Sequence, residues 1–249
     1  MIGKLRRFFR VLFPLFCLAV LLIQCIKIRE DFREYRQAEE EYERWADDTK
    51  EKEDGGTSID FESLQKRNPD IVAWIHIPDT TIDYPVVQGS DNAYYLNHTA
   101  AGQENSSGAI FLDAGCDTAF SGDNYIIYGH NMRTKKMFGC LKELYDPYYN
   151  KDASILVHPD IVIDRPGEEI RYRVFSVRRI HLKKQKGVYV IRFLDDEEKR
   201  NYVQEARSES LLNGETFSYP GTSILTLSTC SSFGEDGRLV VQAYEITRR

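Results

Sequence analysis

Short runs of β-branched and aromatic residues dominate the chain beyond Asp60, and turn residues separate these runs. This spacing is typical of a mostly antiparallel, closed barrel, whereas a βαβ array would place a helix between successive strands. We therefore predict a mostly β fold built around a closed β-barrel. The predicted strands cover residues 71–77, 82–87, 109–112, 125–128, 161–163, 170–180, 224–227 and 239–246.

One segment, residues 195–212, departs from the β pattern and has helical spacing. Asp195 is the predicted N-cap, and Glu198 stands three residues later, as in a capping box. The side chains predicted to face inward are Val203, Ala206 and Leu211. The sequence therefore predicts one helix inserted in the long connection before the strand at residues 224–227.

The N-terminal part of the chain contains an apolar run at residues 11–26, interrupted only by Gln24. The basic residues before it are Lys4, Arg6, Arg7 and Arg10. Basic residues favour the cytoplasmic side of a membrane, and no small-x-small cleavage site follows the run. We therefore expect residues 1–27 to form a cytoplasmic tail and a single-pass transmembrane helix, rather than a cleaved signal peptide. The rest of the chain would lie outside the cell.

Residues 28–58 are dense in charge and are predicted to form a helical stalk. Phe32, Tyr35, Tyr42 and Trp45 recur at helical spacing and form one aromatic stripe. A stalk, a coiled-coil seam or a helix docked on the next domain could carry such a stripe. We favour docking, because a solvated stalk does not require four aromatic side chains. Residues 54–58 are expected to end the helix as a hinge, and residues 59–249 form the main domain.

Composition narrows the possible partners and cofactors. The chain has 249 residues and a formal net charge of −6, which gives no reason to expect nucleic-acid binding. Its five cysteines are odd in number and include no CxxC motif, so neither a disulfide framework nor a zinc site is expected. We expect neither a metal nor an organic cofactor. Cys17 and Cys25 fall in the apolar N-terminal run, and Cys116 and Cys140 are expected to be bystanders rather than redox partners.

The candidate chemistry lies in the last two predicted strands. Cys230 ends the first strand, a loop at residues 231–237 follows, and Arg238 begins the second. Antiparallel pairing would bring a thiol, which can attack a carbonyl, beside a cation that can stabilise the resulting oxyanion. By themselves, these two residues are better explained as a buried structural Cys and a surface Arg. His130 reverses that preference, because it follows the strand at residues 125–128 and an imidazole can protonate a leaving amine.

Together these segments resemble the sortase family. The Tyr-Gly-His-Asn-Met segment around His130, the Thr-Leu-Ser-Thr-Cys segment ending at Cys230, and Arg238 carry the resemblance. Further matching segments follow in the expected order at residues 70–75, 82–88, 91–96, 108–113 and 137–141. In this family, a helix before the cysteine strand and an extra N-terminal helix mark class B. The resemblance thus implies a class B sortase with a sortase-type barrel and a membrane anchor.

The resemblance implies a mechanism and a set of partners. Cys230 would attack the carbonyl of a Thr in a sorting motif near the C-terminus of a secreted protein. Arg238 would stabilise the oxyanion, and His130 would protonate the departing amine. An amino group of a peptidoglycan precursor would then resolve the thioacyl-enzyme, which would attach the protein to the cell wall. The expected location is the plasma membrane, with the catalytic domain outside the cell.

The resemblance also implies residues that bind the substrate. Asn92 and Leu96 would line one wall of a peptide groove, Ser228 its floor, and Tyr189 and Val190 the other wall. Ordinary core packing explains Leu96 and Val190 equally well. The motif would be of an Asn-Pro-x-Thr type or a Ser/Pro-Pro-x-Thr-Gly type.

Two other functional classes remain open from the sequence. One is a pilus-polymerising sortase, whose nucleophile is a Lys of another protein; such enzymes usually carry a lid before the barrel and often a second membrane span, and neither is expected here. The other is a silent scaffold or a hydrolytic cysteine protease. The combination of His130, Cys230 and Arg238 argues against a silent scaffold. Diversion of the product from an acid to an amide would distinguish a transpeptidase from a protease.

Overall fold

The computed structural model describes residues 2–53, 56–142, 160–212, 218–230 and 236–249. Its helices are α1 (Ile2–Thr49), α2 (Phe61–Arg67) and α3 (Asp196–Ser208). A single 3-10 turn covers Tyr94–Leu96. The strands are β1 (Lys50–Glu53), β2 (Gly56–Ile59), β3 (Ile71–His76), β4 (Asp83–Val87), β5 (Ile110–Leu112), β6 (Asn124–Tyr128), β7 (Ile161–Arg165), β8 (Glu168–His181), β9 (Ile224–Cys230) and β10 (Gly237–Arg248).

Eight strands form the predicted barrel, which closes in the order β10-β8-β7-β3-β4-β5-β6-β9. The pairs β4/β5 and β6/β9 are parallel, and the other neighbours are antiparallel. Closure leaves no unpaired edge strand in the barrel. Residues 224–229 of β9 are buried without alternation, since the barrel core covers one face and α3 with its neighbours covers the other.

Helix α3 confirms the predicted inserted helix. The Asp195 side chain accepts the backbone N–H groups of Glu197 at 3.0 Å and Glu198 at 2.9 Å, a cap that stabilises a helix by about 1 kcal/mol. Val203 and Ala206 are buried as predicted. The helix ends at Ser208, earlier than predicted, because the backbone then turns to donate from Leu211 to the Val177 carbonyl at 2.8 Å. Leu211 still packs against the main core.

Helix α1 docks on the barrel through its C-terminal part. Tyr42 and Trp45 are buried, and the Tyr42 hydroxyl accepts the Ala100 N–H at 2.9 Å and donates to the Gly108 carbonyl at 3.3 Å. Phe32, in contrast, is 58% exposed. Within the part of the chain that the structure describes, no helix combines the length and the apolar character needed to cross a membrane.

The end of α1 differs from the predicted hinge. The helix stops at Thr49, and β1 and β2 then pair as an antiparallel hairpin. Backbone pairing of residues 50–53 with residues 56–59 thus replaces the expected continuation of the helix to residue 53. Asp54 and Gly55, which belong to the predicted hinge, lie outside the described residues.

Candidate active site

Strand register brings the three candidate catalytic residues to one end of the barrel. Strand β9 lies between β6 and β10, and Cys230 is directly opposite Arg238 in the antiparallel β9/β10 pair. In the parallel β6/β9 pair, Tyr128 is opposite Ser228. His130 and Cys230 each follow two residues later, so the backbone places both at the same end. The structure describes the backbone of Cys230, and its side chain lies outside the described atoms.

Close packing requires a glycine immediately before His130. A Cβ on Gly129 would lie 2.5 Å from the Ile110 side chain, so only glycine fits there. Beyond it, the His130 carbonyl accepts the Phe138 N–H at 3.0 Å, which closes the loop that carries the imidazole.

The imidazole of His130 has a defined partner. Its Nε2 lies 2.7 Å from the Leu96 carbonyl oxygen. A carbonyl oxygen can only accept a hydrogen bond, so Nε2 carries a proton in this arrangement. Nδ1 is therefore the nitrogen that remains to exchange a proton with a reacting group.

The start of β10, where Arg238 stands, is tied to the end of β8. The Leu182 N–H donates to the Asp236 carbonyl at 3.0 Å, and Lys183 donates to the Asp236 carboxylate at 2.6 Å. The hydrogen bond from Lys183 lowers the pKa of Asp236. Arg238 itself is half-buried and donates from Nη1 to the Gly237 carbonyl at 2.8 Å. These bonds hold a guanidinium at the end of the barrel that Cys230 reaches.

A cavity of about 240 Å³ opens at this end of the barrel. Aromatic and aliphatic side chains form much of its lining, and polar groups are interspersed among them, which is typical of a ligand pocket. The lining residues are Asn92, Leu96, Phe111, Tyr128, Gly129, His130, Leu182, Tyr189, Ser228, Thr229 and Arg238.

Comparison with known proteins decides the family. A family model described as the sortase domain matches residues 75–246. The chain belongs to the sortase family. This sortase is 32% identical over 198 residues to sortase B of Listeria monocytogenes, and the alignment covers 78% of this chain and 77% of that protein.

Solved structures agree with that assignment. Sortase B of Clostridium perfringens superposes with a TM-score of 0.68 at 32% identity, covering 76% of this chain and all of that one. A complex of Staphylococcus aureus sortase B with substrate gives a TM-score of 0.64 at 31% identity, covering 75% of this chain and 84% of that one. The sortase is therefore a class B enzyme and a cysteine transpeptidase.

Four of the five predicted substrate-binding residues of the sortase line the cavity. They are Asn92, Leu96, Tyr189 and Ser228, and the Tyr189 hydroxyl lies 2.7 Å from the Ser228 Oγ. Val190 lies elsewhere, half-buried against the cluster beneath α3 that contains Phe175, Tyr202 and Val203. The roles of all five in binding substrate stay predictions.

Five lining residues of the sortase were not predicted as site residues: Phe111, Tyr128, Gly129, Leu182 and Thr229. Tyr128 stands two residues before His130, as Ser228 stands two before Cys230, and this symmetry is the signal that could have identified it. The parallel pairing of β6 with β9 is needed to interpret that symmetry. Leu182 reaches the cavity only through the β8/β10 pairing, which the local sequence does not reveal.

Proposed function

We propose that this class B sortase cleaves a C-terminal sorting motif of secreted proteins after its Thr residue and transfers the acyl group to an amino group of a peptidoglycan precursor. The product is a protein joined covalently to the cell wall. The observation that carries the proposal is the register that sets Arg238 opposite Cys230, with His130 at the same end of the barrel, beside a cavity.

The proposed reaction has two steps, formation of a thioacyl-enzyme and its resolution by an amine. The Cys230 thiolate attacks the carbonyl carbon of the Thr, and Arg238 donates to the oxyanion. The C–N bond then breaks, His130 gives a proton to the departing amine, and a thioester remains. An incoming amine attacks that thioester and loses a proton to His130. The thiolate departs and the new amide is released.

The groove assignment follows from the cavity lining. Asn92 and Leu96 form one wall, Tyr189 the other, and Ser228 the floor. Val190, which lies outside the lining, would act only by supporting its neighbour Tyr189. The solved complex of Staphylococcus aureus sortase B with substrate supports substrate binding by this related enzyme. An Asn-Pro-x-Thr type motif is the first to test.

We also propose that the N-terminal part of α1 anchors the enzyme in the plasma membrane, with the N-terminus in the cytoplasm and the catalytic domain outside. Large apolar side chains of α1 are exposed from Phe13 to Ile28, and Phe13 and Phe16 are 64% and 66% exposed. Burial of such a surface in lipid is favourable, and the basic residues that precede it suit the cytoplasmic face. Membrane fractionation of cells that produce the full chain, with and without residues 2–27, tests the anchor: the full chain should sediment with membranes, and the truncated chain should not.

Product analysis tests the reaction. The full chain in detergent is incubated with Asn-Pro-x-Thr and Ser-Pro-x-Thr-Gly peptides, with and without a peptide amine that reproduces a peptidoglycan cross-bridge. We expect a thioacyl adduct on Cys230 by mass spectrometry and a product diverted from acid to amide when the amine is added. Acid alone would indicate a hydrolase. Preference for a Lys-bearing pilin-like peptide over the cross-bridge amine would indicate a pilus-polymerising enzyme.

A further inference from the structure

Asp113 is a buried carboxylate next to the cavity that none of the proposed chemical steps uses. It follows β5 directly and is 8% exposed. Its Oδ2 accepts the Tyr128 hydroxyl at 2.8 Å and the Asn92 Nδ2 at 2.8 Å, and its Oδ1 accepts the Gly115 N–H at 2.8 Å. These three donors are neutral, so hydrogen bonds alone offset the desolvation of the carboxylate in this cluster.

Two of the three donors line the cavity, and they come from different parts of the chain. Tyr128 ends β6, whereas Asn92 lies in the segment before the 3-10 turn. Asn92 is tied a second time, because its Oδ1 accepts the Ala114 N–H at 2.8 Å. The same segment supplies the Leu96 carbonyl that contacts His130. One carboxylate therefore joins the first wall of the cavity to the barrel.

The Tyr128 side chain is fixed on both sides. Its ring centroid lies 5.1 Å from that of Phe111 and 6.0 Å from that of Tyr189, which stands on the opposite wall. Burial and the hydrogen bond to Asp113 raise the pKa of Tyr128, so its hydroxyl stays protonated at physiological pH. That single proton is directed to Asp113, so the Tyr128 oxygen can act towards a ligand only as an acceptor.

We propose that Asp113 is a positioning residue that determines how the groove receives the sorting motif. It holds Tyr128 as a hydrogen-bond acceptor and Asn92 as a donor through its second N–H. A neighbouring acceptor and donor match the N–H and C=O groups of an extended, uncharged peptide segment. This inference rests on the proposed groove, and it adds a residue that acts on binding of the motif rather than on the chemical step.

Asp113→Asn tests the proposal, because it keeps the size of the side chain and replaces one acceptor oxygen with a donor. An amide nitrogen in place of Oδ2 would face the N–H group of Asn92, donor against donor. With the full chain in detergent and a fluorogenic Asn-Pro-x-Thr peptide, we expect KM to rise about tenfold while kcat changes by less than about threefold. A fall in kcat at constant KM would overturn the proposal.

Asp117→Asn is the matched control. Asp117 accepts the Tyr125 hydroxyl at 3.1 Å, so it forms the same kind of pair beside the same strand, and neither Asp117 nor Tyr125 lines the cavity. We expect the Tm of the Asp117→Asn variant to fall by a few degrees and its KM to stay unchanged. An equal rise of KM in both variants would show that Asp113 acts only through the stability of the fold, and this would contradict the proposal.

Tyr128→Phe and Asn92→Ala test the groove assignment separately from the role of Asp113. They also provide a test if the Asp113→Asn variant folds poorly. Each should raise KM, and combining Tyr128→Phe with Asp113→Asn should raise it by less than the product of the single effects. If neither single variant changes KM, the proposed groove is wrong and the role of Asp113 fails with it. If both raise KM but Asp113→Asn does not, only the role of Asp113 is refuted.

Discussion

The proposed catalytic residues and the proposed walls of the groove are positioned by different kinds of interaction. His130, Cys230 and Arg238 stand at the ends of β6, β9 and β10, where the backbone ladders of the barrel determine their register. The walls, residues 91–96 and 188–193, belong to no strand of the described chain. Buried side chains hold them in place together with isolated backbone bonds, such as that from the Asn124 N–H to the Ile191 carbonyl at 3.2 Å. Many backbone bonds thus position the proposed catalytic residues, whereas the proposed substrate-binding residues depend largely on a few polar side chains for their positions.

The two walls differ from each other as well. Asp113, a carboxylate, holds the first. In the second, a network of neutral side chains beneath α3 holds two backbone carbonyls, and another carboxylate, Asp123, accepts the Phe193 N–H at 3.2 Å. Asn124 donates to the Val190 carbonyl at 2.6 Å, and the Tyr202 hydroxyl donates to the Val188 carbonyl at 2.6 Å. Gln242 donates to the Tyr202 hydroxyl at 2.6 Å. Tyr189 lies between the two fixed carbonyls, so the network determines where its ring meets the cavity.

The largest effect should come from Cys230→Ala, since it removes the nucleophile and leaves the backbone ladder intact. We expect no detectable cleavage of a sorting peptide and no thioacyl adduct by mass spectrometry. Cys116→Ala is the control: burial raises the pKa of that thiol to about 11, so it is no nucleophile at neutral pH, and activity should persist. Cleavage by the Cys230→Ala enzyme would refute the assignment of Cys230 as the nucleophile.

Arg238→Gln should have the next largest effect. Loss of one donor to an oxyanion lowers kcat by about 100- to 1000-fold, and because backbone pairing sets the register, Tm should change little. Arg248→Gln tests the opposite end of the same strand, where the guanidinium pairs with Glu245 at 2.9 Å. That variant should lose stability and keep its kcat. Steady-state kinetics and thermal unfolding of both variants decide between the two outcomes.

Tyr202→Phe should act on the second wall. The variant deprives the Val188 carbonyl of its donor and the Gln242 amide of its acceptor. If the wall loses about 1 kcal/mol of substrate-binding free energy as a result, KM rises roughly fivefold. The control is Tyr219→Phe, whose hydroxyl also donates to a backbone carbonyl, that of Thr222, away from the cavity. If both variants lower Tm equally and neither changes KM, the network stabilises the fold without positioning the wall.

Local sequence predicted the backbone framework better than the walls. The β9/β10 pairing follows from two β-rich runs joined by a short loop, and the α3 cap follows from Asp195, because both signals are local. The parallel pairing of β6 with β9 was not predicted, since residues far apart in the sequence form it. Tyr128 and Asp113 were missed as parts of the site for that reason. Their polar groups show no periodicity, and only the folded chain brings them together.

The smallest effect should come from Tyr42→Phe, which tests whether α1 belongs to the framework or to the site. Its hydroxyl bonds Ala100 and Gly108, and a Cβ on Gly108 would lie 3.0 Å from the His130 ring. We expect a loss of about 1–2 kcal/mol of stability, read as a lower Tm, with kcat and KM within about twofold because backbone bonds still hold the His130 loop. A large fall in kcat at unchanged Tm would instead show that the docked helix supports the imidazole directly, and the contrast between framework and walls would then have to include α1.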